Sequence, residues 1–134
     1  MDTETHAPVV RSFRAHPSAL YEVRQFIRAL AGTAGLPRDL TADLVLAVTE
    51  ACANSILHTT TPEVTVSWRT AGGCVEVEVR DGGVFRRRVP MPEVDGPGGH
   101  GIPLMMALVD EFVLQEGSER RPGTLVRLVK CREG

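Results

Sequence analysis

Residues 43–58 read DLVLAVTEACANSILH, and this stretch decides the fold because its pattern is that of one helix with two unlike faces. At about 100° per residue, the apolar side chains that fall on one side are Leu44, Val45, Val48, Cys52 and Ile56. The residues on the other side are Asp43, Glu50, Asn54 and His58, with the small Ala47 among them. Glu50 and Asn54 are four residues apart, so their side chains are neighbours on the helix surface. The pattern predicts that one face packs on a core, while the other presents a carboxylate and an amide to water or to a ligand.

Toward the amino terminus, the pattern predicts a short strand at 9–13 and a helix that Pro17 opens. The apolar stripe of this helix consists of Leu20, Val23, Phe26, Ile27 and Leu30. Residues 32–37 end it, and Asp39 or Thr41 is the predicted cap of the helix at 43–58.

Toward the carboxyl terminus, alternating stretches at 64–68 and 74–80 flank the turn residues 71–73 and predict a β-hairpin. Its exposed face carries Glu76, Glu78 and Arg80. Residues 84–98 lack periodicity, and a loop of this length is usually functional or disordered.

A third helix is predicted at 102–109, with Pro103 in its first turn, and strands are predicted at 112–116 and 124–130. The element order is therefore strand, two helices, hairpin, loop, helix, hairpin. This order predicts an α+β fold of two layers, in which the helices cover one face of a mostly antiparallel sheet.

Length and composition indicate one domain over residues 1–134, with an ordered core over about 9–130. Hydrophobic residues make up 43% of the chain, charged residues 24%, and the net charge is -2. The charge argues against direct binding to nucleic acid, which requires a clear basic excess. No apolar run approaches the roughly 20 residues of a membrane span, and residues 1–10 lack the features of a signal peptide. We therefore expect no contact with a membrane.

The three cysteines, Cys52, Cys74 and Cys131, are far apart and odd in number. Since no C-x-x-C pair occurs, neither a zinc site nor a disulfide framework is expected. Cys52 and Cys74 lie in apolar-patterned segments and are predicted core residues. A reduced, cytoplasmic setting fits this cysteine usage best.

Glycines at 98, 99 and 101 surround His100 directly before the third helix. The amino terminus of a helix offers unpaired N–H groups, and glycines let the backbone approach an anion closely. The segment is therefore a candidate phosphate site, although a plain loop end has the same composition. No P-loop motif is present.

Two further groups could bind a ligand. Asp81 follows a strand and precedes Gly82-Gly83, so its carboxylate could accept a hydrogen bond from an exocyclic amine while a flat ring lies against the glycines. An ordinary Asp-Gly turn is the alternative. Glu50 and Asn54 could position a water and ligate Mg²⁺, which prefers oxygen ligands, or they could form a solvated helix face. Covalent catalysis has no support, because no serine or cysteine lies in an activating context.

The order of these motifs resembles the GHKL ATPase superfamily, the Bergerat-fold group. The motifs are E-x-x-x-N at 50–54, D-x-G at 81–83, G-x-G at 99–101 opening a helix, and Gly-Thr at 123–124 before the last strand. Residues 46–54 (LAVTEACAN) and 99–105 (GHGIPLM) look like those of the bacterial anti-sigma factor/serine-protein kinases. The resemblance covers about residues 9–130 and implies a two-layer α/β sandwich of the Bergerat type with a mixed, mostly antiparallel sheet.

The resemblance implies ATP and Mg²⁺ as cofactors and gives each motif residue a role. Asn54 matches the Mg²⁺ ligand, and Glu50 matches the catalytic general base. Asp81 matches the residue that binds the adenine amine, with Gly83 beside the ring. The residues that match the phosphate-binding glycine box and the support of the adenine-binding carboxylate are Gly99, His100, Gly101 and Thr124. Residues 84–98 match the nucleotide lid.

The implied function is an anti-sigma regulator that sequesters a sigma factor and phosphorylates a Ser or Thr of a STAS-type anti-anti-sigma antagonist, and homodimers are common in that family. The alternative is a nucleotide-binding partner-switching module without kinase activity. Two departures favour the alternative: Phe85 stands where the family has a glycine, and residues 91–97 contain no Lys or Arg to meet the γ-phosphate. A detached histidine-kinase catalytic domain is a third reading, but it would need a phospho-acceptor helix pair.

Overall fold

The computed structural model describes residues 7–58, 62–82, 101–117, 120 and 122–132 of the chain. Each predicted helix and strand is present, and only the ends differ. The elements are β1 (Val9–Arg14), a short 3-10 helix (Pro17–Ala19), α1 (Leu20–Ala34), α2 (Arg38–His58), β2 (Glu63–Ala71), β3 (Cys74–Asp81), α3 (Gly101–Leu108), β4 (Glu111–Gln115) and β5 (Thr124–Cys131).

The strands form one five-stranded sheet in the order β1-β2-β3-β5-β4. The sequence led us to expect a mixed, mostly antiparallel sheet, and every pairing between the described strands is antiparallel. The turn between β2 and β3 is tight because Gly72 and Gly73 both adopt positive φ, 56° and 82°, which only glycine adopts at little cost. The predicted α+β fold of two layers is confirmed.

The strand alternation places one face of the sheet in the core. The buried apolar strand residues on this face are Phe13, Val64, Val66, Trp68, Val75, Val77, Val79, Val126 and Leu128. Val23 and Ile27 of α1 and Leu44 and Val48 of α2 belong to the same buried cluster. Burying one such side chain contributes roughly 1.5–3 kcal/mol, so this shared layer fixes how the helices lie on the sheet.

The predicted apolar face of α2 is buried, but its opposite side is less exposed than expected. Ala47, which the helical pattern placed among the polar residues, is 0% exposed, and so is Ala51. Ala51 lines a small pocket together with Met105 of α3, so a second helix covers this side of α2. Because α3 is far along the chain, the local pattern of α2 could not reveal this contact.

The start of α2 also differs from the prediction. The helix begins at Arg38, ahead of both residues predicted to cap it. Asp39 lies in the first turn, where its Oδ1 accepts a hydrogen bond from the Leu40 N–H at 3.0 Å. Thr41 instead donates its hydroxyl to the carbonyl oxygen of Leu36 at 3.4 Å.

By length and composition, α2 is apolar enough over Arg38–Leu57 to cross a membrane, although the sequence led us to expect no membrane span. Three of its residues, Leu44, Val48 and Cys52, are at most 1% exposed within the protein core. The core helix of a protein passes the same test. The finding is therefore weak evidence for a membrane span.

The structure contradicts the expectation that no disulfide is present. Cys74 and Cys131 are bonded, and they lie directly opposite each other in the register of β3 and β5. Cys74 is thus a half-buried bridge residue rather than a plain core residue. Since disulfides are rare in reducing compartments, the cysteines no longer argue for a reduced setting.

Cys52 is the free cysteine among the described residues, and it is buried as predicted. Burial raises the pKa of its thiol to about 12, because the thiolate would lose its hydration. The thiol is therefore protonated at neutral pH and does not act as a nucleophile.

On the outer face of the sheet, Glu76 lies between two arginines. Its Oε1 accepts a hydrogen bond from Arg69 on β2 at 2.5 Å, and its Oε2 accepts one from Arg127 on β5. The Glu76 side chain is only 15% exposed. The hydrogen bond from Arg69 is the main cause that holds the pKa of Glu76 below its usual value. Glu76 and the two arginines therefore join the three central strands on the face of the sheet opposite the described helices.

We expect Glu76→Gln to lower the free energy of unfolding at pH 7 by about 1 kcal/mol, as is typical of a well-formed ion pair at a protein surface. Because the folded-state pKa lies below the unfolded value, the carboxylate contributes stability above the unfolded pKa of about 4.3 and loses it as the pH falls through the folded pKa. Urea unfolding at pH 7 and at acid pH measures this. Glu78→Gln is the matched control, since the contact of Glu78 with Arg80 is longer, at 3.4 Å, and therefore weaker. An equal loss at both pH values would contradict the assignment.

Candidate functional site

The polar face of α2 meets the first residue of α3. A β-carbon built on Gly101 would lie 3.1 Å from Glu50 Oε1 and 3.3 Å from Asn54 Nδ2. These distances are shorter than ordinary van der Waals contact, so a glycine at 101 allows the two side chains to approach the helix terminus. The structure thus brings together three of the residues that the motifs predicted for one site.

Contacts in the middle of α3 and at its carboxyl end hold this helix along α2. Met105, in the middle, is 0% exposed, so it anchors α3 in the core. At the carboxyl end, Lys130 Nζ donates to the carbonyl oxygen of Leu108 at 2.7 Å and contacts the Asp43 carboxylate of α2 at 3.2 Å. A cation at the carboxyl terminus of a helix satisfies its last carbonyls and opposes the negative end of its dipole. Lys130 therefore fixes α3, and with it the position of Gly101.

A second polar group lies at the end of β3. Asp81 is 4% exposed, and its Oδ2 accepts a hydrogen bond from the Ser55 hydroxyl of α2 at 2.7 Å. Thr124 of β5 is Asp81's partner in the register and is 3% exposed. The Thr124 hydroxyl oxygen accepts a hydrogen bond from the Gly117 N–H at 3.3 Å. Burial without such partners would be costly, so the carboxylate is held in a defined position.

No sequence motif indicated Ser55 as a site residue. Its only sequence signal is its place three residues after Cys52, which puts a small hydroxyl on the buried side of α2. The partner, Asp81, lies on another element, so no local pattern connects the two. Because Ser55 directly follows Asn54, one turn of α2 joins the two polar groups.

A small apolar pocket lies between α2, α3, β4 and β5. The residues that line it are Ala51, Asn54, Ser55, Ile102, Met105, Phe112, Leu114, Thr124 and Val126. Its free volume is about 10 Å³, which corresponds to about one water molecule. The pocket is thus a gap in the packing, and its walls give the site an apolar side next to a buried carboxylate.

The oxygen atoms of the site suit a hard cation that also binds a ligand. Among the described residues, no group of three or more His, Cys, Asp or Glu side chains could form a metal cage. Mg²⁺ does not need one, because it usually takes one or two protein oxygens and completes its shell with waters and phosphates. Asn54 and Glu50 beside a helix amino terminus fit that type of site.

Gly83, Gly99 and His100 lie outside the described residues, as do Phe85, the arginines at 86–88 and the predicted lid at 84–98. Their roles therefore stay predictions. Glu50, Asn54, Asp81, Gly101 and Thr124 are described, and they form the two neighbouring polar groups.

We expect Gly101→Ala to weaken binding of the magnesium–ATP complex by about tenfold without unfolding the protein, because the new methyl group displaces Glu50 and Asn54 by a few tenths of an ångström. Calorimetric titration measures the affinity, and thermal unfolding checks the fold. Gly32→Ala in α1 is the matched control, since a β-carbon there would meet nothing within 4 Å. If the Gly101 variant bound magnesium–ATP as tightly as the wild type, the proposed place of Gly101 in the binding site would be contradicted.

Over residues 13–130, the sequence matches the family described as histidine kinase-like ATPase domain. The chain belongs to this family, which confirms the resemblance to the GHKL superfamily. Membership of an ATPase family implies ATP binding, normally with Mg²⁺.

The fold is similar to that in the crystal structure of the RsbU and RsbW domains of Rv1364c from Mycobacterium tuberculosis. The TM-score is 0.74 at 23% sequence identity, over 94% of this chain and 32% of the other. The present chain thus spans about a third of that solved protein, and the likeness shows a shared fold. No curated protein matches the sequence.

Proposed function

We propose that the protein is an anti-sigma regulator that binds ATP with Mg²⁺, sequesters a sigma factor and phosphorylates a Ser or Thr of a STAS-type anti-anti-sigma antagonist. The observation that carries the proposal is the meeting of Glu50 and Asn54 with Gly101, beside the buried Asp81. The family supports ATP binding. Two observations support the anti-sigma class. One is the amino-acid sequence of residues 46–54 and 99–105, and the other is the likeness to a protein with an RsbW domain.

The adenine-recognising part of the proposed site is the polar group at the end of β3. Asp81 would accept a hydrogen bond from the adenine amino group, and Gly83 would lie beside the ring. Ser55 keeps one carboxylate oxygen oriented by donating to it at 2.7 Å. Thr124 lies opposite Asp81 on the neighbouring strand and would support the same carboxylate. A buried carboxylate with apolar neighbours suits adenine, because the base has a flat apolar ring and an amino group that can donate to the carboxylate.

The phosphate end of the proposed site lies where α2 meets α3. Asn54 would ligate Mg²⁺ through its amide oxygen, and backbone N–H groups at Gly99, His100 and Gly101 would bind the phosphates at the helix amino terminus. Bound Mg²⁺ supplies neutralisation of the charge on the phosphates. These residues thus position the nucleotide, which is the main requirement of phosphoryl transfer.

Glu50 is the proposed general base. It would accept the proton of the antagonist's Ser or Thr hydroxyl as the oxygen bonds to the γ-phosphorus, and ADP would leave. Its side chain is only partly buried, so it is accessible to a second protein. Glu50 Oε1 also lies at the amino terminus of α3, the end of the helix that favours anions.

The second candidate is a partner-switching module that binds nucleotide but transfers no phosphate. Phe85 and the lack of Lys or Arg at 91–97 favour it, because phosphoryl transfer requires charge neutralisation near the γ-phosphate. In both readings we propose one domain over residues 1–134 that acts in the cytoplasm, without direct contact with nucleic acid or membrane, and that can form a homodimer.

The test that separates the two candidates is a transfer assay. The protein is incubated with γ-labelled ATP, Mg²⁺ and each STAS-domain protein of the same genome. The kinase proposal predicts label on the Ser or Thr of one of them. ATP binding without label on any of them would overturn the kinase proposal and favour the partner-switching module.

A further inference from the structure

The helical hairpin of α1 and α2 carries a groove that no motif predicted. Its volume is about 530 Å³, and it runs along the first half of α2. Its lining includes three basic and three apolar side chains, namely Arg24, Arg28, Arg38, Ala42, Val45 and Leu46. Glu50 and Asn54 lie on the second half of α2, against α3. The groove is therefore separate from the proposed nucleotide site.

The side chains of the three arginines of this groove make no hydrogen bond or ion pair to any of the residues that the structure describes. Other arginines do: Arg69 and Arg127 contact Glu76, and Arg11 contacts Glu22. Arg24 and Arg28 are one turn apart on α1, so their like charges are neighbours. Arg38 is the first residue of α2, the end of a helix where a cation is unfavourable. An anionic partner would relieve this repulsion.

The floor of the groove is apolar. Val45 is buried, Ala42 is exposed, and Leu46 is 43% exposed although it is a large hydrophobic residue. The two threonines of the groove donate their hydroxyls to carbonyls within the α1–α2 hairpin: Thr41 to Leu36, and Thr49 to Val45 at 2.6 Å. The groove thus combines cationic side chains with an apolar strip. Carboxylates flanked by leucine-like side chains complement both, whereas nucleic acid offers no aliphatic side chains and the chain has a net charge of -2.

We propose that this groove, lined by Arg24, Arg28, Arg38 and Leu46, is the docking site for an acidic amphipathic segment of a partner protein. The inference deepens the proposed function because it supplies a partner surface, and it rests on that function only for the partner's identity. The chemistry of the groove is independent of ATP binding, since it consists of cations that pair with no described side chain and of an exposed apolar strip.

The test uses fluorescence anisotropy with a labelled synthetic peptide that carries Glu and Leu at helical spacing. The wild-type protein should bind it, and more weakly as salt is added. We expect the Arg28→Glu/Arg38→Glu double variant to weaken binding by about tenfold, since two ion pairs become repulsive. Arg14→Glu is the matched control, because Arg14 is exposed on β1 and its side chain makes no hydrogen bond or ion pair to the described residues. It should leave binding unchanged, as should replacement of ATP by buffer.

Three results would overturn the docking proposal. The first is no peptide binding by folded protein, and the second is equal binding by the double variant. The third is tighter binding of a single-stranded oligonucleotide of the same charge, which would indicate a nucleic-acid surface. Titration of the same samples with magnesium–ATP separates this test from the proposed function. Peptide binding without ATP binding would support the docking proposal and contradict the proposed nucleotide site.

Discussion

Asp81→Asn is expected to lower the affinity for ATP about hundredfold while the fold is kept, because a buried acceptor is replaced by a group that can also donate. The asparagine can keep the hydrogen bond from Ser55 through its amide oxygen. Its NH₂ group then takes the place of the other carboxylate oxygen. An amine cannot donate to it, so the proposed contact with adenine is lost.

Nucleotide selectivity sharpens this prediction. Guanine carries a carbonyl where adenine carries its amino group, so the wild type should prefer ATP and the Asp81→Asn variant should lose that preference. Calorimetric titration with ATP and GTP measures both affinities. Glu78→Gln is the control, since Glu78 lies on the same strand but on the outer face of the sheet. An unchanged ATP affinity in the Asp81 variant would remove Asp81 from the site.

Glu50→Gln is expected to leave the affinity for ATP unchanged and to slow phosphate transfer about 10²- to 10⁴-fold, the range typical of a lost general base. Glutamine has nearly the same shape, so the contact with Gly101 remains. Its amide cannot accept the proton of the antagonist's hydroxyl. Single-turnover transfer with saturating antagonist measures the chemical step apart from binding.

Asp39→Asn serves as the control for this variant, because Asp39 is an exposed carboxylate on the first turn of the same helix. It should transfer phosphate at the wild-type rate. If Glu50→Gln also transfers at that rate, Glu50 is not the base. If it loses ATP binding instead, Glu50 has a structural role beside Asn54.

The sequence predicted the elements well because their signals are local. The alternation of Val64, Val66 and Trp68 defined β2, and the glycines at 72 and 73 defined the hairpin turn. The apolar face of α2 followed from helical periodicity in the same way. These patterns need no knowledge of what packs against them.

What the sequence missed depends on contacts between distant elements. Ala47 is buried because α3 covers the side of α2 that the pattern placed toward solvent. Cys74 and Cys131 are 57 residues apart and meet only through the register of β3 and β5. A local pattern gives neither the neighbour of a helix nor the register of a distant strand.

In the candidate site too, local motifs could be predicted from the sequence, whereas contacts between distant elements could not. The motif residues Glu50, Asn54, Asp81 and Thr124 were visible as a spaced series, and their order carried the family resemblance. Ser55 was not visible, because its role consists of one hydrogen bond to Asp81 on another element. The arginines of the α1–α2 groove were equally hidden, since the helical hairpin brings Arg38 beside Arg24 and Arg28.

The central claim is that Asn54 and its neighbours form a site for ATP with Mg²⁺, and calorimetric titration of the wild-type protein tests it most directly. We predict binding of ATP in the presence of Mg²⁺, loss of binding when the metal is chelated, and loss of binding in Asn54→Ala with an unchanged unfolding curve. Absence of ATP binding by a wild-type protein that unfolds cooperatively would contradict the claim.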